Sequence, residues 1–238
     1  MKVDILAIGA HPDDVELSCA GTLSKEIYKG KTVAILDLTR GELGTRGSAA
    51  LRDKEAQKAA AILGVASRHN LGFADGFFQN NHEHQMQLVA YIRHMQPQII
   101  LCNAAQDRHP DHGRAAQLVV ESCFLSGLQK VETSFEGKKQ VAWRPKHIYH
   151  YIQWNSVTPD VVVDISGYMD VKLKAVMAYD SQFYKPNSNE PETPISTQNF
   201  LDSIKYRAAD LGRLIGVDFA EGFTSSRLLA VDALSDLI

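Results

Sequence analysis

Two short stretches, about a hundred residues apart, hold residue types suited to hydrolytic chemistry: Ala10-His11-Pro12-Asp13-Asp14-Val15-Glu16 and Arg108-His109-Pro110-Asp111-His112. Imidazole nitrogen and carboxylate oxygen are ligands that zinc accepts, and a catalytic zinc site keeps three protein ligands while leaving a fourth position for water. Two histidines and one aspartate meet that need. His11 and Asp14 stand three apart across a turn, which lets both face one ion, and His112 closes the set from the second stretch. Asp13 then points elsewhere and is free to act as a base. A metal held this way lowers the pKa of its water from about 15.7 toward about 7 and polarises a carbonyl, so the chemistry expected is hydrolysis at neutral pH. Taken singly, His-Pro-Asp-Asp also reads as a helix start, where Asp satisfies free amides and the helix dipole. Two such stretches with complementary ligand types favour the metal.

The surrounding pattern says how they meet. Val3 to Gly9 reads as an apolar strand followed by a helix ending near Gly30, and residues 31–38 repeat the strand pattern. After a glycine-rich loop comes an Ala-rich helix from about Ser48 to Leu63, closed by Gly64. A strand at residues 68–71, a helix over about 83–95 stopped by Pro97, a strand at 98–102 and a helix at 113–126 continue the alternation. Strands at 147–154 and 160–165 and a helix from about 168 to 179 follow. Such alternation with continuous apolar strands predicts an α/β fold, Rossmann-like, with a mainly parallel sheet covered by helices on both faces. Both His-Pro stretches fall just past a strand and before a helix, at the carboxyl ends where open parallel sheets place ligands. Residues 1–238 read as a single domain, and residues 184–197, with three prolines, are the one clear irregular segment, a lid or a plain surface loop.

Composition narrows the partners. With 45% hydrophobic and 22% charged residues the chain can build a sizeable core, and a net charge of -3 gives no footprint for a polyanion. Nucleic acid and anionic membrane are therefore not expected, and a small molecule is. The N-terminus is too short and too charged for a secretory signal, and no run reaches the roughly 20 apolar residues of a membrane span. Cys19, Cys102 and Cys123 have no metal or redox spacing and read as buried thiols in a reducing cytoplasm.

The AHPDDVE and HPDH motifs, in this order and spacing, resemble the zinc-dependent N-acetylglucosamine deacetylases of the PIG-L and LmbE type. The likeness extends through residues 39–47, Thr-Arg-Gly-Glu-Leu-Gly-Thr-Arg-Gly, and Arg52 to essentially the whole chain, and looks nearest to the subgroup that deacetylates N-acetylglucosaminyl malate in bacillithiol biosynthesis. Ala220-Glu221-Gly222-Phe223 agrees with that subgroup. The resemblance implies Zn2+ on His11, Asp14 and His112, with Asp13 as general base. It implies that His109 stabilises the oxyanion or protonates the leaving amine, with Asp111 holding and charging its ring. It implies that Arg52 contacts substrate, where a guanidinium suits a malate carboxylate. A cytoplasmic homo-oligomer, a hexamer among its forms, is also implied. Arg108, beside the second motif, is a candidate for orienting substrate; Tyr184 is a candidate for reaching a developing oxyanion; Arg46 is weaker. Tyr179-Asp180-Ser181-Gln182 stands where many family members have His-x-Ser-Gln, so any role of that histidine is absent here. The alternatives are an amidase acting on another amino-sugar conjugate and a sugar-binding protein without turnover. Retention of Asp13, which a metal cage does not need, argues against the second.

Overall fold

The computed structural model describes residues 1–236. Strands β1 (Ile5–Gly9) and β2 (Val33–Thr39) are buried along their whole length, as continuous apolar runs in the middle of a parallel sheet must be. Their side chains alternate between two cores. Leu6, Ile8, Ala34 and Leu36 pack with helices α3 (His82–Met95) and α4 (Pro110–Ser126). Ile5, Ala7, Val33 and Ile35 pack on the other face with α1 (Asp14–Tyr28). The remaining strands are β3 (Ser67–Phe73), β4 (Ile99–Cys102), a hairpin of β5 (Ser134–Phe135) and β6 (Lys138–Lys139), β7 (His147–Tyr151), β8 (Val161–Asp164) and β9 (Ala220–Ser225). Helices α2 (Ala49–Leu63), α5 (Met169–Val176) and α6 (Gln198–Ile215) complete the elements.

The main sheet runs β3-β2-β1-β4-β7-β9-β8, parallel except for β9, which is antiparallel to both its neighbours. Its order reverses between β1 and β4. The loops that leave these two strands diverge there and open a crevice, and they are the loops that carry the two His-Pro motifs.

Helix boundaries follow local chemistry. Ser48 accepts a hydrogen bond from the Leu51 amide at 3.2 Å and Gly64 closes α2 at φ 74, a conformation that costs glycine little. Three differences from the sequence expectation stand out. The helix expected over 168–179 is a 3-10 turn at Ser166–Tyr168 followed by the shorter α5. Helix α4 begins at Pro110, inside the motif, because proline's fixed φ suits the first helical position. Helix α6 and strand β9 were not expected at all, and together they cover the sheet edge beyond β7.

Strand β9 is tied to a helix far from it in sequence. Glu221 accepts from the Gly21 amide at 3.0 Å and the Thr22 amide at 2.7 Å, both in the middle of α1, and pairs with Lys172 Nζ at 2.5 Å. Glycine at position 21 also leaves room for Ile165, just past β8, whose Cδ1 a Cβ there would meet at 2.7 Å.

Candidate active site

The first His-Pro loop is bent out of ordinary shape. Asp13 sits at the N-cap position of α1 with φ 112 and ψ -25, and its side chain makes no capping hydrogen bond. A left-handed conformation is costly for a residue with a Cβ and persists only where surroundings impose it. Here they do so through Arg52, whose Nη2 donates to Asp13 Oδ2 at 2.5 Å and to the Pro12 carbonyl at 2.9 Å. The capping alternative therefore fails for Asp13, whose buried carboxylate lies in the wall of the cavity instead. Burial raises its pKa most, Arg52 opposes and Asp14 adds, and the outcome is about 6. The group is thus poised close to neutrality.

Asp14 joins the two loops. Its carboxylate oxygens lie 3.5 Å from His11 Nδ1 and 3.1 Å from His112 Nε2. Asn103, immediately after β4, donates to its Oδ2 at 3.0 Å, and Gln153, just after β7, donates to its Oδ1 at 3.0 Å. Burial disfavours the charge of Asp14, but His112 and His11 outweigh it and hold the carboxyl well below the usual range.

Each histidine is oriented from behind. His112 Nδ1 meets Asp107 Oδ2 at 2.5 Å; His11 Nε2 meets Asp75 Oδ1 at 3.0 Å and Asp111 Oδ2 at 3.3 Å. Carboxylates on the outer nitrogen fix the ring and leave the inner nitrogen for a ligand, the arrangement metal-binding histidines use. Burial would lower both ring pKa values. Instead Asp14 and Asp107 lift His112 to about 9, and Asp111, Asp14 and Asp75 lift His11 well above its ordinary value. The pocket thus draws positive charge to two rings whose inner nitrogens face one carboxylate, which is the electrostatic fit of a cation site. Among the described residues, the ligand atoms of His11, His109 and His112, and separately those of His11, Asp75 and Asp111, lie within 4.8 Å of one another. The second group contains the carboxylates that orient His11; the first brings His109 beside His11 and His112, whose Nδ1 and Nε2 respectively face Asp14 at 3.5 and 3.1 Å.

Three expectations need correction. Asp111 does not hold the His109 ring with its carboxylate: that carboxylate is taken by His11, the Gly76 amide at 2.8 Å and Arg114 at 2.6 Å. His109 instead caps α4, its Nδ1 accepting from the Asp111 amide at 3.3 Å. Nor does the site favour charge on the ring. Burial, then His11 and His112, lower its pKa, and the bond at Nδ1 leaves the hydrogen on Nε2. Second, Arg52 is buried in the cavity wall and its Nη atoms are bonded to Asp13, Pro12 and Gly41, so the carboxylate it holds here is this chain's own Asp13, with only its Nε left without a partner. Third, Tyr184 is half-buried and is not part of the cavity wall. Arg108 does line the cavity, lying 4.3 Å over the Trp154 ring. Arg46 reaches Ser188 instead, at 2.9 Å. Tyr179, in place of the family's histidine, is buried and donates to Glu16 Oε1 at 3.1 Å.

Asp75, Asn103, Asp107 and Gln153 escaped the sequence reading. Asp75, Asn103 and Gln153 each follow within two residues of the end of a parallel strand, and that position was the available signal.

The crevice at the switch point, its paired imidazoles and its freed aspartate define an α/β enzyme of the metal-assisted hydrolase class. The comparisons carry this further. A family model described as GlcNAc-PI de-N-acetylase (PIG-L) matches residues 6–123. Diacetylchitobiose deacetylase of Thermococcus kodakarensis is 33% identical over 190 residues, covering 75% of this chain and 70% of that protein. The probable N-acetyl-alpha-D-glucosaminyl L-malate deacetylase 2 of Bacillus anthracis is 26% identical over 192 residues, 75% of this chain and 81% of that protein. The crystal structure of a conserved protein from Thermus thermophilus, TT1542, superposes with a TM-score of 0.85 at 35% identity, covering 97% of this chain and 98% of that one. The chain belongs to the PIG-L family and is an N-deacetylase.

Proposed function

We propose that the chain is a zinc-dependent enzyme that removes the acetyl group from an N-acetylglucosamine glycoside. The observation that carries this is the convergence of the two His-Pro loops on Asp14, with Asp13 turned away from helix capping into the same cavity. His11, Asp14 and His112 would hold the metal, and their nitrogen and oxygen donors suit zinc. When bound, it makes water a nucleophile at neutral pH and polarises the acetyl carbonyl.

The chain's own groups supply the rest. Asp13, ionised above about pH 6, takes a proton from the attacking water as the carbon–oxygen bond forms. Arg52 holds that carboxylate in place by its hydrogen bond to Oδ2. The Nε2–H of neutral His109 donates to the oxyanion, and the lowered pKa of the ring makes it less suited to protonating the amine. The carbon–nitrogen bond then breaks, the proton held by Asp13 passes to the leaving amine, and acetate and a free amino sugar result.

The malate conjugate and a place in bacillithiol biosynthesis are the finer reading that the sequence resemblance supplies. Arg108 and Arg207 line the cavity as cationic contacts for its carboxylates, together with Arg52, whose Nε has no partner. The proposal also carries a homo-oligomer, checked by sedimentation, and a cytoplasmic location, with which three buried free cysteines agree. The test is acetate release from N-acetylglucosaminyl malate, diacetylchitobiose and methyl N-acetylglucosaminide by protein loaded with zinc. Release that a chelator abolishes is expected from at least one of them; a metal-loaded protein that frees no acetate from any would end the proposal.

A further inference from the structure

The catalytic groups occupy only one end of their cavity. It measures about 870 Å³, near the upper end of ligand sites, and continues from Asp14 past Leu17 and Gln153 into a chamber beneath α6. One wall of that chamber is Ile204, Ala208, Leu211 and Leu214, which recur at helical spacing over about 15 Å of α6. Ile152 and Pro159 face them across the strand ends.

Helix α6 has an apolar stripe, yet only Ile204, Ala208 and Gly212 are buried in it, and Leu214 is 58% exposed. A stripe of this kind ordinarily packs on a core. Here half of it faces open space that is continuous with the site of chemistry. Of the charges around the chamber, Lys172 is paired with Glu221 and Asp210 with Arg213, and among the described residues Arg207 has no ion pair, so it is a single cation in an otherwise largely apolar wall. An apolar occupant gains there by removing the side chains of that wall from water.

Resting on the deacetylase reading, we infer that the natural substrate is an N-acetylglucosamine joined to an apolar aglycone, which the chamber beneath α6 binds. The acyl group is acetyl and lies among the catalytic residues, so the surplus space belongs to the other end of the substrate. Helix α6 is thereby the specificity-determining element, and its leucines touch the aglycone rather than the reacting atoms.

The test compares methyl, butyl and hexyl glycosides of N-acetylglucosamine, in both anomers, with zinc-loaded protein. Each added methylene buried is worth up to about fourfold, the equivalent of about 0.8 kcal/mol, so kcat/KM for the hexyl glycoside should exceed that for the methyl glycoside at least tenfold, through KM. Leu211→Arg should drive that ratio toward one. Ile215→Arg, on α6 but outside the cavity wall, should leave it as in the parent. Calorimetric binding of the same glycosides to metal-free protein, which needs no turnover, should show the same dependence on chain length. A flat series in both measurements overturns the inference while leaving the deacetylase reading intact, as does a malate conjugate turned over better than the hexyl glycoside. Faster cleavage of N-hexanoylglucosamine than of N-acetylglucosamine overturns it too, by giving the chamber to the acyl group. Absence of acetate from every glycoside strikes the deacetylase reading, and the binding series still decides this one.

Discussion

The two His-Pro loops look alike in sequence and are built differently. In the second, His109 has extended backbone at φ -81, caps α4 through its side chain and is followed by proline at the first helical position. In the first, Asp13 is left-handed, leaves α1 without a side-chain cap and gives its carboxylate to Arg52. One loop is a regular helix start that happens to present two imidazoles; the other gives up regularity to aim a base. Strain marks the loop whose side chain must be in a place that standard helix geometry would not put it.

The comparison breaks most visibly at Asp13. Asp13→Asn keeps a residue that tolerates the left-handed conformation and can still accept from Arg52, so metal content should stay at the parental level while kcat falls by roughly 10² to 10⁴. Retained turnover would mean that the distorted loop serves structure alone. In the second loop the two duties of His109 can be separated. His109→Asn preserves a capping side chain, but its shorter amide N–H does not reach where the Nε2–H donates, so the rate should fall by roughly 10² to 10³ with an almost unchanged Tm; His109→Ala should lose a further ~1 kcal/mol of stability, measured by denaturant titration. Next comes the support of the rings. Asp107→Asn removes the charge behind His112 and should weaken zinc affinity roughly 10- to 100-fold in a chelator competition, with kcat at saturating metal far less affected.

The smallest effect is one of pH. In the metal-free protein the pKa of His112 is raised from 6.5 to about 9. The stabilisation this represents is fully present below pH 6.5 and is lost as pH rises through about 9. The Tm of metal-free protein should therefore drop across that window, and zinc-loaded protein, whose rings carry no exchangeable proton at the inner nitrogen, should not show the drop. Identical profiles with and without metal would place the metal elsewhere.

Much of the architecture was legible in the residues alone. The strands β1, β2 and β4 are runs that only a doubly covered sheet accommodates, and the metal-ligand candidates were visible as residue types at strand ends. The environment of each group was not. That Asp111 turns to His11 and not to His109 depends on how two loops cross, which no local pattern records. Helix α6 carries readable signals, Thr197 as cap and Gly216 as its end, but lies directly after a proline-containing segment whose irregularity masks its start. Strand β9 holds glutamate and glycine in its middle, residues poorly represented in strands, and forms because its neighbours demand a partner.

The bond between Glu221 and the amides of Gly21 and Thr22 joins positions 200 and 199 residues apart. On a ribosome the segment bearing the base is made long before the carboxylate that completes its helix. A nascent chain that has not yet reached β9 leaves Lys172 without its partner, so the tie between this helix and the far side of the sheet is made only once that strand has emerged.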